Sequence, residues 1–179
     1  MQGWSAPKSL KFIAVGGSRV SQSLIEKAHQ FNLPVFQGYG LSECCSVVSL
    51  SNSLDNASDS VGRLLPHISA KITKGELIVN SNCFLGYLDL PESWYPTQVN
   101  TGDLVKIENE QLFIAGRIKN LIINSFGRNI SPEWLESEFL ASGLFQQAVV
   151  IGDSKPYCIA LLALRDKVTH KNTLKTIDK

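Results

Sequence analysis

Lys11-Phe12-Ile13-Ala14-Val15-Gly16-Gly17-Ser18, and then Val35-Phe36-Gln37-Gly38-Tyr39-Gly40-Leu41-Ser42-Glu43, are the stretches whose reading decides the fold. The first is a short β-rich run that gives way to small residues, as a strand does on entering a turn. Ser21 is placed to cap a helix in which Leu24, Ile25, Ala28 and Phe31 fall at helical spacing, and Asn32 and Pro34 end it. Val35-Phe36-Gln37 resumes an extended pattern. Strand, helix and strand in this order form a βαβ unit, whose crossover makes the two strands parallel.

Working outward, the texture changes twice. From about Val61 to Ala115 the chain reads as short strands between turns: Ala70-Lys71-Ile72-Thr73, Glu76-Leu77-Ile78-Val79, Leu104-Val105-Lys106-Ile107 and Gln111-Leu112-Phe113-Ile114, with Asn109-Glu110 as a hairpin turn. That pattern predicts a small distorted antiparallel barrel or open sheet. After Gly116-Arg117, Leu121-Ile122-Ile123 reads as a strand and Asn124 to Asn129 as a turn-rich loop. Ser131 then caps a helix with Pro132 in its first position and Trp134, Leu135 and Phe139 on its packed face. Val149-Val150-Ile151 and Ile159 to Leu164 complete a small α+β unit. The expected fold class is α/β plus α+β, divided as 1–60 (end of an α/β subdomain), 61–116 (barrel-like subdomain) and 117–179 (a mobile, incomplete α+β domain). Ser51 to Ser60 is a polar surface loop, and the polar, lysine-rich stretch from Asp166 to Lys179 reads as a frayed tail or a cut end.

Composition narrows the function. Across 179 residues, 44% hydrophobic and 18% charged content describes a globular chain, and a net charge of +1 offers no field to hold a long polyanion. A nucleic-acid partner is therefore not expected. No apolar run approaches the roughly 20 residues of a membrane-spanning helix, and Met1-Gln2-Gly3-Trp4-Ser5 lacks a secretory leader pattern, so a cytoplasmic location is expected. Cys44, Cys45, Cys83 and Cys158 contain no C-x-x-C, and His29, His67 and His170 are scattered, which argues against a zinc site.

Five loops carry chemistry-bearing residues, each with a plainer alternative. Gly16-Gly17-Ser18 lets bare backbone approach a flat or anionic ligand at a helix start, or is simply a tight turn. Gly38-Tyr39-Gly40-Leu41-Ser42-Glu43, just past the second parallel strand, offers a ring to stack on a base, a hydroxyl for a phosphate and a carboxylate for Mg2+; the alternative is a core tyrosine in a glycine turn followed by a capping serine. Asp103 in Thr101-Gly102-Asp103 could accept from two ribose hydroxyls or only close a turn. Gly116-Arg117-Ile118-Lys119 is a hinge with two cations or a solvated linker. Gly127, in Ser125-Phe126-Gly127-Arg128-Asn129, admits a long thin substituent or merely turns the chain.

The order of these loops is more specific than any one of them. Gly16-Gly17-Ser18, Gln37 to Glu43, Gly75-Glu76-Leu77 with Gly86-Tyr87, Asn100-Thr101-Gly102-Asp103-Leu104 and Gly116-Arg117-Ile118-Lys119-Asn120 together resemble the adenylate-forming (AMP-binding) superfamily of acyl-CoA synthetases, peptide-synthetase adenylation domains and luciferases. The resemblance covers about Leu10 to Leu164. It implies activation of a carboxylic acid, such as a fatty acid, by ATP and Mg2+ with release of pyrophosphate, followed by transfer from the acyl-adenylate to a thiol such as CoA. By that resemblance Gly16, Gly17, Gly38 and Tyr39 would form the adenine slot, Ser18 and Gly40 would be further nucleotide-binding residues, and Ser42 would contact the α-phosphate. Glu43 would bind Mg2+, while Asp103 and Arg117 would hold the ribose. Lys119 would be the pivot of the last domain, and Gly127 would line the pantetheine path.

The resemblance also implies what this sequence does not contain: a Ser/Thr/Gly-rich phosphate loop upstream of Gly16, and a downstream Gly-Lys segment whose lysine bonds the reacting carboxylate. Lys171, Lys175 and Lys179 have no such context. Removing a single donor from where charge develops typically costs about 2.7 to 4 kcal/mol, so the isolated chain is expected to show little or no synthetase activity. The readings are then a ligase piece, either truncated or one half of a split enzyme with a complementary N-terminal half, or a non-catalytic module that binds AMP, an acyl-adenylate or a carrier-protein arm. A Rossmann-type dinucleotide site is opposed by the missing G-x-G-x-x-G.

Overall fold

The computed structural model describes residues 6–53, 59–81 and 83–165, and the chain divides into two compact units, Met1–Lys119 and Asn120–Lys179. The tail from Asp166 onward, with Lys171, Lys175 and Lys179, and the middle of the Ser51 to Ser60 loop lie outside the described residues.

In the first unit, β1 (Ile13–Val15), α1 (Gln22–Gln30) and β2 (Val35–Leu41) form the expected βαβ unit, with Ile13 opposite Val35, Ala14 opposite Phe36 and Val15 opposite Gln37 in parallel register. Ser21 caps α1: its backbone is extended and its Oγ accepts the Leu24 N–H at 3.3 Å, a device worth about 1 kcal/mol. Asn32, at φ 55°, ends the helix in the left-handed region. The helix's apolar face is narrower than the spacing suggests. Ile25 is buried, but Leu24, turned about 100° from it, is 51% exposed.

Strand β2 does not stop at Gln37. It runs on through Leu41 because β3 (Ser46–Leu50) folds back against it, antiparallel, with Gly38 opposite Leu50, Tyr39 opposite Ser49 and a bulge between Tyr39 and Gly40. The reversal is made by a 3-10 turn at Ser42–Cys44 followed by Cys45 and Ser46, both at positive φ. The expected loop at Gly38 to Leu41 is therefore the second half of a strand. β4 (Arg63–Leu64) pairs with β3 and completes a sheet of order β1-β2-β3-β4.

A second sheet holds β5 (Ala70–Thr73), β6 (Glu76–Val79), β7 (Val99–Glu108) and β8 (Gln111–Arg117), all antiparallel and in sequence order. Asn109 and Glu110, at φ 51° and 65°, make the tight mirror-image turn between β7 and β8. The described strands do not close into a barrel. The free edge of β8 is met instead by Val61 and Gly62: the Val61 N–H donates to Leu112 O at 2.9 Å, and the Leu112 N–H to Gly62 O at 2.7 Å. Cys44, Val48, Leu77, Val79, Val99, Val105 and Leu112 form the core. Along β7 the buried residues alternate as Val99, Thr101, Asp103 and Val105, so a hydroxyl and a carboxyl occupy inward positions where the pattern calls for apolar side chains.

The second unit contains β9 (Ile122–Ile123), β10 (Asn129–Ile130), α2 (Pro132–Ala141), β11 (Phe145–Ile151) and β12 (Ile159–Leu164). β9 pairs with β10 and β11 with β12, both antiparallel. Pro132 opens α2 as expected, but Ser131 makes no capping bond; its hydroxyl donates to Glu133 Oε2 at 2.8 Å. Trp134 is 49% exposed rather than packed, and the helix rests on Pro132 and Ser137, with Phe139 edge-on to Phe145.

Candidate functional site

The parallel pair and its antiparallel return enclose a cleft of ≈ 700 Å³ in the first unit, within the range of small-molecule sites. Its walls come from the end of β1 and its glycine turn (Ala14, Val15, Gly16, Gly17), from β2 (Gly38 to Leu41) and from the turn beyond (Ser42, Cys45, Ser46). Small residues are required by the packing at two places. A Cβ on Gly16 would meet Gly38 O at 2.9 Å, and one on Gly40 would lie 1.7 Å from Ser46 O. The glycines leave part of the lining as bare backbone, against which a flat group can lie, while Phe12, Val15, Tyr39, Leu41, Val47 and Leu50 contribute side chains. Ser18, in the bend after Gly17, is not among the lining residues.

Tyr39 connects this cleft to the second sheet. Its hydroxyl donates to Asp103 Oδ2 at 2.7 Å, and Arg117 Nε donates to Asp103 Oδ1 at 2.8 Å. Asp103 is 6% exposed, a carboxylate in the core whose charge is answered by these two donors. Burial, and then the neighbouring Asp103, push the Tyr39 phenol far above its ordinary range, so it stays a protonated donor. The same carboxylate raises the pKa of Arg117.

Glu43 follows Ser42 in the 3-10 turn. Its Oε1 accepts the Tyr87 hydroxyl at 2.7 Å, and its backbone oxygen accepts the Phe84 N–H at 2.8 Å. The Tyr87 bond is the main reason the Glu43 carboxyl sits below its ordinary pKa; Arg117 lowers it further, and partial burial opposes both.

Of the residues singled out in the sequence, Gly16, Gly17, Gly38, Tyr39, Gly40 and Ser42 share the cleft, and Tyr39, Asp103 and Arg117 form one hydrogen-bonded group. Glu43, in the turn after Ser42, is bonded to Tyr87 and not to that group. Lys119 is exposed at the end of the first unit, and Gly127 lies in the second, in the turn whose N–H bonds Asn124 O at 2.9 Å. Tyr87 was visible only as part of the Gly86-Tyr87 motif; nothing local showed that it would reach Glu43. The residue types fit a nucleotide: a stretch of glycine backbone, an aromatic ring and a buried carboxylate with lone pairs to spare. Glu43 is the one carboxylate of the turn beside the cleft, and no group of three potential metal ligands occurs among the described residues. One carboxylate suits a cation shared with phosphates and not a protein-only cage.

The chain belongs to the adenylate-forming, AMP-binding superfamily of acyl-CoA synthetases: residues 3–83 match the AMP-binding enzyme family, and relatives extend the match over most of the sequence. It is 34% identical over 156 residues to a long-chain-fatty-acid–CoA ligase of Mycobacterium bovis, covering 83% of this chain and 26% of that protein. It is 34% identical over 164 residues to a 2-succinylbenzoate–CoA ligase of Staphylococcus aureus, covering 84% and 33%. The chain thus spans a quarter to a third of the length of these relatives. Among solved structures, o-succinylbenzoate CoA synthetase from Bacillus subtilis, in complex with its acyl-adenylate intermediate, superposes with a TM-score of 0.78 at 26% identity, over 97% of this chain and 40% of that one. The same enzyme in complex with ATP and magnesium gives 0.76 at 28% identity, over 96% and 40%.

Proposed function

We propose that this chain carries the adenosine-binding half of the site of an ATP-dependent, AMP-forming acyl-CoA ligase. The observation that supports this reading best is the group Tyr39, Asp103 and Arg117. Three residues drawn from two sheets and separated by up to 78 positions meet at one buried carboxylate beside a glycine-walled cleft. In this reading the adenine lies along Gly16, Gly17 and Gly38 to Gly40 against Tyr39, and the ribose hydroxyls donate to the remaining lone pairs of Asp103. Arg117 fixes that carboxylate, and Ser42 faces the α-phosphate. Glu43 would be the carboxylate that holds Mg2+, which when bound offsets charge on the phosphates. Lys119 would serve as the pivot of the following domain, and Gly127 would pass the pantetheine arm of CoA.

The names of the relatives, a long-chain-fatty-acid ligase in one case and a 2-succinylbenzoate ligase in the other, support a carboxylic acid as the substrate class, and the proposal includes a complementary N-terminal half or a carrier protein as partner. Isothermal titration of the purified chain with AMP tests the core of the proposal. Saturable one-site binding, weakened in Asp103→Ala and Tyr39→Ala, is expected, with little pyrophosphate released from ATP and acid by this chain alone. Heat signals unchanged by both substitutions would refute it.

A further inference from the structure

The proposed function gives no role to the Gly75-Glu76-Leu77 motif, nor to Thr101 in the motif that carries Asp103, and both Glu76 and Thr101 bond to backbone N–H groups at Gly102 and Asp103. Between the paired positions Glu76 opposite Leu104 and Ile78 opposite Asn100, the single residue Leu77 faces Thr101, Gly102 and Asp103. β7 therefore carries two extra residues and arches away from β6 at the point where Asp103 is displayed. Two extra residues leave the inside-outside alternation intact, so Asp103 remains on the buried face. An arch of this kind strands backbone groups that a regular ladder would satisfy, and in a buried place they need other partners.

The structure satisfies four of them through two side chains and one neighbouring N–H. The Gly102 N–H donates to Glu76 Oε1 at 2.9 Å, and the Asp103 N–H to Thr101 Oγ1 at 3.1 Å. The Thr101 hydroxyl in turn donates to Leu77 O at 2.9 Å, and Gly102 O accepts the Ile118 N–H at 2.8 Å. Gly102 itself sits at φ +73°, where a residue with a side chain is strained. The last of these bonds ties the arch to the residue after Arg117, the other end of the Asp103 ion pair. Both ends of that pair are thereby anchored to one arch.

We infer that Glu76 and Thr101 are positioning residues that hold the β7 arch, and through it aim the Asp103 carboxylate at the ligand's vicinal diol. The inference rests on the adenosine reading for the identity of that ligand, and on the geometry alone for the positioning. Neither residue touches the cleft, so neither is a catalytic residue.

The test uses the full chain with Glu76→Ala, Glu76→Gln and Thr101→Val, each checked for folding by circular dichroism. Without nucleotide, NMR reads the amide protection of Gly102 and Asp103 and the Arg117 Nε–H signal, which persists only while Asp103 holds it. Glu76→Ala and Thr101→Val are expected to lose both, whereas Glu76→Gln, which keeps an acceptor oxygen, retains them. With nucleotide, the affinities for AMP and for 2′,3′-dideoxy-AMP are compared. Glu76→Ala should weaken AMP roughly tenfold and the dideoxy compound less than about twofold, because only AMP uses the aimed carboxylate. Equal weakening of both compounds would show a merely structural strut and overturn the inference, as would unchanged protection and an unchanged Arg117 signal. If the unmodified chain binds no AMP, the adenosine reading falls, and the NMR comparison decides the positioning by itself.

Discussion

Replacing Asp103 by Asn separates its two duties, because the amide keeps the shape of the carboxylate and removes only its charge and half of its acceptors. Asp103 accepts from Tyr39 at 2.7 Å and Arg117 at 2.8 Å. An amide oxygen can still accept from Arg117, while the amide NH2 must face the Tyr39 oxygen, whose hydroxyl can turn to accept. Both contacts survive as ordinary hydrogen bonds, so about 1 kcal/mol is lost with each charge-assisted bond at most. The Arg117 side chain is 52% exposed, and solvent screening reduces its share to the surface range of roughly 0 to 1 kcal/mol. A stability loss of at most about 2 kcal/mol follows, or up to about 8 °C in melting temperature for a chain of this size.

Nucleotide binding should suffer more. In the carboxylate, lone pairs remain on both oxygens for two ribose hydroxyls. In the amide the single oxygen is engaged by Arg117, and the NH2 cannot accept. Losing hydrogen bonds to a charged acceptor costs about 1.5 to 3 kcal/mol, so AMP affinity should fall about 10- to 150-fold, while 2′,3′-dideoxy-AMP changes little. Calorimetric titration at a temperature well below the melting point reads both. If Asp103→Asn melts several degrees lower yet binds AMP within twofold of the parent chain, Asp103 is a core strut and the ribose assignment is wrong.

Gly40→Ala should cost at least about 3 kcal/mol, since its Cβ would meet the Ser46 and Val47 backbone and force β2 and β3 apart; a urea midpoint near that of the parent would contradict this. The Glu43 carboxyl is held below its ordinary range first of all by Tyr87, so this stabilisation is present above the unfolded pKa of about 4.5 and disappears as pH falls through the lower folded value. Tyr87→Phe should therefore destabilise most at neutral pH and converge with the parent in acid, as urea titrations between pH 3 and 7 would show. Burial pushes the Cys44 thiol from 9.0 to about 11, so the stability it confers is complete below pH 9 and is lost as pH rises through about 11. In iodoacetamide mapping at pH 8, exposed Cys45 should be alkylated well before Cys44, and equal rates would refute the burial. The triple variant Tyr39→Phe, Asp103→Leu, Arg117→Met should melt close to the parent and yet fail to bind AMP in the same calorimeter; a collapsed fold would show that the ion pair is structural.

What was legible in the sequence was whatever is encoded within a few residues. Ser21 with Leu24 marks the start of α1, the runs 70–73 and 76–79 are strands to the residue, and Asn109-Glu110 is the turn expected there. β3 was missed because its start is hidden in two consecutive left-handed residues, Cys45 and Ser46, whose sequence signals neither turn nor strand. Trp134 was misplaced because helical spacing gives a face, and only the packing partner decides which part of that face is covered. The Tyr87–Glu43 bond joins residues 44 positions apart, and the Glu76 brace on Gly102 joins residues 26 apart. Neither has a local periodic signature, so motif order could gather these residues into one list without showing which touches which.

The burial of Asp103 bears on which of its duties shaped the site. Taking a carboxylate out of water costs several kcal/mol, and even a good pair of donors does little more than offset it, so an ion pair here is no argument for stability. An apolar side chain would continue the Val99 and Val105 pattern of β7 more simply. Instead the strand accommodates two additional residues, a left-handed Gly102 and a buried Thr101 hydroxyl, all of which serve to keep one carboxylate at one angle. Costs of this kind are intelligible where direction matters more than burial, which is the requirement for binding a diol and not for filling a core. Tyr39 belongs to the first sheet, while Asp103 and Arg117 belong to the second, so a ligand held there also bridges the two sheets. Nucleotide binding should therefore add to the stability of the first unit, so that its melting temperature climbs with AMP concentration, even though the unit folds without the ligand.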